Sequence, residues 1–284
     1  MSSTCPPMTV AAPAVQPYGF GLFSVAQWPV EADPHWRCGV QWEPYACGPA
    51  RLYPIDQCAE GEPPEKQVEE GTPLVEATPL VVYGGYHCKL PGRTVPADIE
   101  DRARQSLALG EQRAVEEAVW TGAAGNSPWL ASPDATVLNA AETPGAGDAL
   151  KAIGAIAALE AYLGATYGGL GVIHVPRGAV PALAFYQQIV RDGSVLRTVL
   201  GTPVAAYGGS PNTGPAGEPA PAGTAWAYAT GPVAIRRGEV LVTPTPVPAA
   251  GFDRKTNQVH LLAEREYVVG WDCLLGAALM DISC

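Results

Sequence analysis

A chain of 284 residues can bury about three quarters of the surface that its unfolded form exposes, so it needs neither disulfides nor metals to hold together. Only 16% of its residues are charged, against a usual share of about 25%, and a net charge of −11 argues against a basic nucleic-acid-binding face. With 32 Gly and 29 Pro the composition excludes a helix bundle and calls for turns, arms and strands, and so sparse a charge points to surface buried in an assembly.

No Lys or Arg precedes Arg37, so a secretory signal with a basic start is not expected. The longest apolar runs, such as 273–280, are too short to cross a bilayer. The expectation is a soluble chain made inside a cell.

Residues 1–35 carry six prolines, little charge and the scattered aromatics Tyr18, Phe20, Phe23 and Trp28. A disordered tail is polar and aromatic-poor. This segment reads instead as an extended arm whose rings dock on a surface. Residues 36–76 contain Trp36, Trp42 and Tyr45, then turn residues and an acidic stretch over 60–70, and read as a protruding β-hairpin flap. Residues 78–88 are β-branched and aromatic and predict a strand, broken at Gly84-Gly85.

A helix is predicted over 96–120, with Thr94 as N-cap, Pro96 in the first turn, and Asp98 and Glu100 at the positive end. Ile99, Ala103, Leu107, Ala114 and Ala118 form its apolar stripe; Arg102, Gln105 and Glu116 are placed on the opposite face. Gly122 is the expected C-cap. After a Gly/Pro/Ala-rich loop, a second helix is predicted over 148–166, a buried strand over 170–175, and a third helix over 178–190 closed by Asp192-Gly193. A strand over 197–206 follows, then a Gly/Pro/Ser loop to 223. Strands over 225–230, 233–242, 259–263 and 267–282 complete an α+β chain without internal repeats.

Chemistry-bearing motifs are scarce. His35, His87, His174 and His260 match no metal-ligand pair, and His174, inside GVIHVP, reads as a satisfied core histidine. The seven cysteines include no CxxC pair and read as free, mostly buried thiols. Cys38, Cys47 and Cys58 share one segment, where a metal site or a loop-stapling disulfide is the alternative. Gly-rich strings near 83–86, 168–171 and 208–209 match no phosphate loop. The acidic run at 60–70 reads as a solvated face, and Arg236-Arg237 as a subunit-contact or solvated pair. No catalytic, cofactor-binding or metal-binding residue is assigned.

The order of elements resembles the Hong Kong 97-type capsid fold of tailed bacteriophages, actinobacterial phages most of all. The resemblance rests on LVVYGGYHC (80–88) leading into a long helix that ends in VEEAVWTGAAGNSPWL (115–130). YGGLGVIHVPRGAVPAL (167–183) and LRTVLGTPVAAYGG (196–209) follow, then GPVAIRRGEV (231–240) and EREYVVGWDC (264–273). It implies an N-terminal arm at 1–35, an E-loop at 36–76, a peripheral domain at 77–147 and 243–284 with its spine helix at 96–121, and an axial domain at 148–242.

It further implies a major capsid protein assembling into hexamers and pentamers of an icosahedral head around double-stranded DNA. The acidic chain would hold that DNA only loosely. The resemblance implies a portal at one vertex and leaves room for a decoration protein on the shell. The short apolar arm departs from members with a helical scaffolding segment and implies a separate scaffold protein. Lys66, Lys89, Lys151 and Lys255 match no cross-linking motif. Trp28, Trp36, Trp42, Tyr45, Arg236 and Arg237 are the expected assembly contacts. The alternatives are an encapsulin-like compartment shell, a minor head component confined to vertices, and an enzyme using His87/Cys88 or the cysteine-rich flap as a thiol or metal site.

Overall fold

The computed structural model describes residues 15–44, 47, 50, 52–53, 65–66, 73–89, 98–138, 149–244, 252–253 and 255–283. A one-turn helix α1 (Leu22–Val25) and a 3₁₀ turn (Pro34–Cys38) lead to β1 (Val40–Trp42), which pairs antiparallel with β2 (Val75–Ala77). The two strands form the root of the expected flap hairpin. β3 (Pro79–Lys89) runs into the long helix α2 (Ile99–Thr121). The short strands β4 (Thr136–Val137) and β5 (Leu150–Lys151) precede α3 (Ala152–Thr166).

β6 (Val172–Pro176), α4 (Val180–Phe185), β7 (Ile189–Asp192), β8 (Val195–Thr198) and β9 (Pro203–Tyr207) come next. The chain closes with β10 (Thr224–Thr230), β11 (Val233–Arg237), β12 (Leu241–Thr243), β13 (Phe252–Asp253), β14 (Gln258–Trp271) and β15 (Leu275–Asp281).

Two sheets organise these strands. In the first, β14 pairs antiparallel with β3 from Pro79↔Val268 to Lys89↔Gln258, and with β11, β12 and β13. Alternation along β3 buries Leu80 and Val82 and leaves Val81 and Tyr83 outside, as expected of a half-buried strand. α2 lies on the inner face through Ile99, Ala103 and Leu107. Gly84-Gly85 does not interrupt β3; Gly84 is where the helix crosses it. A Cβ there would sit 2.5 Å from the Leu107 nitrogen, so only glycine admits so close a backbone.

The second sheet runs β4-β15-β10-β6-β9-β8-β7, with β5 also on β15. Its central strand β6 is buried throughout, flanked by parallel β9 and antiparallel β10. β10 serves two cores by period-two alternation. Ala225, Ala227 and Ala229 face the cluster under α3, with Ile156, Leu159 and Leu163. Tyr228 belongs to the cluster that also holds the end of α2. There Trp120, fully buried, packs edge-on against Tyr207 and Tyr228 at 5.4 and 5.2 Å and donates its Nε1–H to the Thr213 carbonyl.

Several sequence expectations shift. α2 starts at Ile99 after Asp98, and the Thr94 cap lies outside the described residues. Its end is as expected, with Gly122 left-handed at φ 70° and donating to the Ala118 carbonyl. The helix over 178–190 stops at Phe185; 189–198 is a β-hairpin turning at Gly193, φ 59°. Periodicity misled there because an apolar helical turn and an apolar edge strand follow one another within a dozen residues.

The strand over 197–206 is two strands separated by a turn, and the strand over 259–263 runs on into the first part of the one over 267–282 as β14, the rest of the latter forming β15. The boundary placed at 242/243 does not follow the sheets: β11 and β12 pair with β14, whereas β15 pairs with β10.

Glycine substitutions should separate crossing from propensity. Gly84→Ala should cost about 1–3 kcal/mol by forcing helix from strand. Gly110→Ala, on an exposed turn of α2 with nothing within 4 Å, should gain about 0.5–1 kcal/mol. Urea unfolding of the full chain measures both.

Candidate functional site

The last turns of α2 carry an acid where its sequence places a solvated face. Glu116 is fully buried, a correction to the helical-wheel reading. The reason is donor supply. Its carboxylate accepts from the Tyr18 hydroxyl at 2.6 Å, the Leu22 amide at 3.0 Å, Gln112 Nε2 at 3.0 Å, and the Gly208 and Gly209 amides at 2.7 and 3.1 Å. A buried charge held by this many donors is satisfied rather than orphaned.

Three glycines make room around the carboxylate. A Cβ on Gly21 would lie 2.2 Å from Glu116 Oε1, one on Gly209 2.1 Å from the Arg113 carbonyl, and one on Gly208 2.7 Å from the Tyr18 ring. The Gly208-Gly209 string is thus a cradle for a side-chain carboxylate. Burial, followed by the Glu116 charge, pushes the Tyr18 phenol well above its ordinary range and keeps it a donor.

From this knot the N-terminal segment crosses the body of its own chain. The Phe20 carbonyl accepts from the Ala206 amide, and Arg177 donates to the Gly19 carbonyl while covering the Tyr18 ring at 5.0 Å. Gln27 bridges to β11 through the Val233 carbonyl and the Ile235 amide. Glu31 takes Arg236 through Nε and Nη2 at 2.9 and 2.6 Å. Arg37 reaches Glu266 at 3.2 Å.

The expected contact residues fall along this path. Trp28 remains 37% exposed, edge-on to Phe23 at 5.1 Å, with Arg237 over its ring at 5.0 Å. Trp36 is half-buried beneath Arg37. Trp42 packs on Gly270, where a Cβ would come within 2.6 Å of its ring, and donates to Asp272 at 3.3 Å. Arg236 is held by Glu31, and Tyr45 lies outside the described residues. These side chains are therefore not gathered into one site; those described are strung along the first sheet, against β11 and β14.

Cys47 and Cys273 are disulfide-bonded, with Cα atoms 6.2 Å apart, which corrects the expectation of free thiols at these two positions. Sequence reasoning placed Cys47 with Cys38 and Cys58; its partner is 226 residues away. Cys38 is an exposed free thiol, not a buried one, and Cys88 is partly buried and free. Asp272 lies beside the pair and also accepts from the Tyr167 hydroxyl, whose pKa burial and the Asp272 charge push up to about 12. His87 and His260 face each other across β3 and β14 at 5.8 Å between rings, and His87 contacts Gln258 at 3.2 Å.

His174 is a satisfied core histidine, as its sequence context implies. Thr230 donates to the Gly231 carbonyl, so its oxygen must accept from His174 Nε2–H at 2.7 Å. Nδ1 then accepts from the Tyr207 hydroxyl at 3.0 Å. Burial pushes the imidazole pKa down to about 3.

Several of the large apolar side chains left outside lie at the β7 side of the second sheet. Phe185 closes α4, Val190 is on the edge strand β7, and Val199 and Leu200 form the β8–β9 turn; Phe185 and Leu200 are each 71% exposed. Val81 and Tyr83 on the outer face of β3, and Leu109 on the outer side of α2, are also exposed.

No family model matches the chain, and no curated protein matches its sequence. Solved structures do match over nearly all of it. The capsid of a native GTA particle aligns over 98% of this chain and 94% of its own, at 16% identity and a TM-score of 0.54. Microbacterium phage Oxtober96 aligns over 98% and 96%, at 13% identity and 0.53. Gordonia phage Cozz aligns over 96% and 91%, at 12% identity and 0.53. The chain shares the α+β fold of these phage and particle structures, and the Hong Kong 97-type architecture expected from its element order is borne out at the level of fold.

Two substitutions probe the interior. Glu116→Gln leaves one oxygen to serve donors that two now share and turns an amide toward the rest, which should cost about 2–4 kcal/mol. Limited proteolysis should then cut within residues 15–27 first. His174 binds its proton far less readily folded than unfolded, so stability should rise with pH from about 3 to 6.5, by roughly 4–5 kcal/mol in all. His174→Gln should flatten that acid limb in thermal melts taken across the same range.

Proposed function

We propose that the chain is the major capsid protein of a phage-like particle, self-assembling into the hexamers and pentamers of an icosahedral shell that encloses double-stranded DNA. The observation that carries this reading is the full-length likeness to capsid structures: both chains are covered almost end to end, at 98% and 94% for the native GTA capsid.

The composition supports it independently. Few charges and exposed apolar side chains at the β7 side of the second sheet suit a surface covered by sister copies. A net charge of −11 suits a container that must release its polyanion.

In this reading 1–35 is the N-terminal arm and 36–76 the E-loop, the sheet of β3 and β11–β14 with α2 belongs to the peripheral domain, and the sheet of β6–β10 and β15 with α3 and α4 to the axial domain. Phe185, Val199 and Leu200 meet neighbouring copies within a capsomer. Trp28, Trp36, Trp42, Tyr45, Arg236 and Arg237 position the arm and the flap for contacts between subunits. A separate scaffold protein, a portal and a decoration protein are the expected partners, and the virion is the destination.

Electron microscopy of the expressed chain, alone and with its genomic neighbours, tests the proposal. Closed shells or capsomers are expected. Leu200→Asp paired with Phe185→Asp should abolish them while leaving the circular dichroism of the subunit unchanged. A monomer that persists at high concentration in the presence of all neighbours overturns it.

A further inference from the structure

The flap root is held to the body at two places. One is the β1–β2 ladder, from Val40↔Ala77 to Trp42↔Val75, with Trp42 seated on Gly270 and donating to Asp272. The other lies five residues further along, where Cys47 meets Cys273 in the turn between β14 and β15. The second attachment is covalent, and it joins the flap to the turn linking the two sheets.

We propose that Cys47 and Cys273 form an oxidative modification site that fastens the flap root, open as a dithiol under reducing conditions and closed once the chain meets a low-molecular-weight disulfide. The two Cα atoms stand 6.2 Å apart, inside the range that a disulfide spans without backbone movement. Trp42, packed against Gly270 and bonded to Asp272, holds the approaching strand in register without the bond, so closure needs no refolding.

The chemistry balances by thiol–disulfide exchange. One cysteine thiolate attacks a sulfur of the small disulfide and releases one small thiol. The second cysteine then attacks the mixed disulfide, forms the Cys47–Cys273 bond and releases the second small thiol. Two electrons pass from the cysteine pair to the small disulfide, and the two protons end on the released thiols. The site stands on geometry within one subunit and does not depend on whether the chain builds a shell.

The test uses the full-length protein purified under reducing conditions and then exposed to oxidised glutathione. Peptide mapping should recover a linked Cys47–Cys273 peptide, and alkylation should count two fewer thiols than in the reduced sample. Oxidation should raise the melting midpoint by roughly 5–10 °C, a shift that Cys47→Ser and Cys273→Ser each abolish without altering the melt of the reduced protein. Alkylation of both cysteines in the oxidised, folded protein overturns the proposal. So does a dominant link from Cys47 to another cysteine. So does stoichiometric zinc held by the reduced chain and lost in both serine variants, since the pair and Asp272 would then be a metal site.

Discussion

One buried carboxylate joins three segments that lie far apart in the chain. Glu116 stands on α2, its donors come from residues 18–22 and from the end of β9 at 208–209, and all of them lose water on folding. An isolated carboxylate in that position would be strongly disfavoured, and a carboxylate with this donor set is not. The same arrangement fixes direction as well as position. The amides point inward only if Gly21, Gly208 and Gly209 lack side chains, so the chain path on three sides is dictated by one anion. Trp120, a turn further along, completes the joint by packing on both Tyr207 and Tyr228.

The remainder of the fold follows from what α2 touches. Its first half lies on β3 and β14 through small and branched residues, and its last turns meet the second sheet through Glu116 and Trp120. Glu111, midway, accepts from Arg265 and Tyr267 on β14, each at 2.8 Å. The helix is therefore bonded to both sheets by carboxylates, with apolar packing between. The N-terminal segment retraces the same joint from outside, from β9 to β11 to β14. The described part of the N-terminal segment is consequently packed on the body of its own chain, with Trp28 left 37% exposed.

How far the sequence disclosed this depends on the physics behind each signal. The extent of α2 and its glycine stop were legible because a 23-residue helix with a periodic stripe and a left-handed terminus leaves a strong local pattern. His174 was legible because apolar neighbours on both sides leave a histidine few options. Glu116 was not, since a wheel assigns acids to solvent and four of its five donors lie more than 90 residues away, on either side. Gly84 read as a break because a glycine in a strand gives the same letter whether it ends pairing or admits a helix. Cys47 was grouped with Cys38 and Cys58 by proximity in sequence, whereas its partner is set by how β14 turns into β15. The overall architecture came through the order of elements, which is why a fold shared at 12–16% identity was visible at all.

The pairing of β3 with β14 carries a consequence for synthesis. β3 leaves the ribosome about 170 residues before the strand it needs, as the register Lys89↔Gln258 shows. Through that interval its Leu80 and Val82 have only α2 to cover them, and its backbone edge has no partner. Nascent chains of this protein therefore spend about half of their elongation, from Thr121 to Gln258, with β3 still unpaired, in a state prone to adhere to its neighbours on the same messenger. An organism making many copies at once must space them, or shield them, until the C-terminal strands arrive.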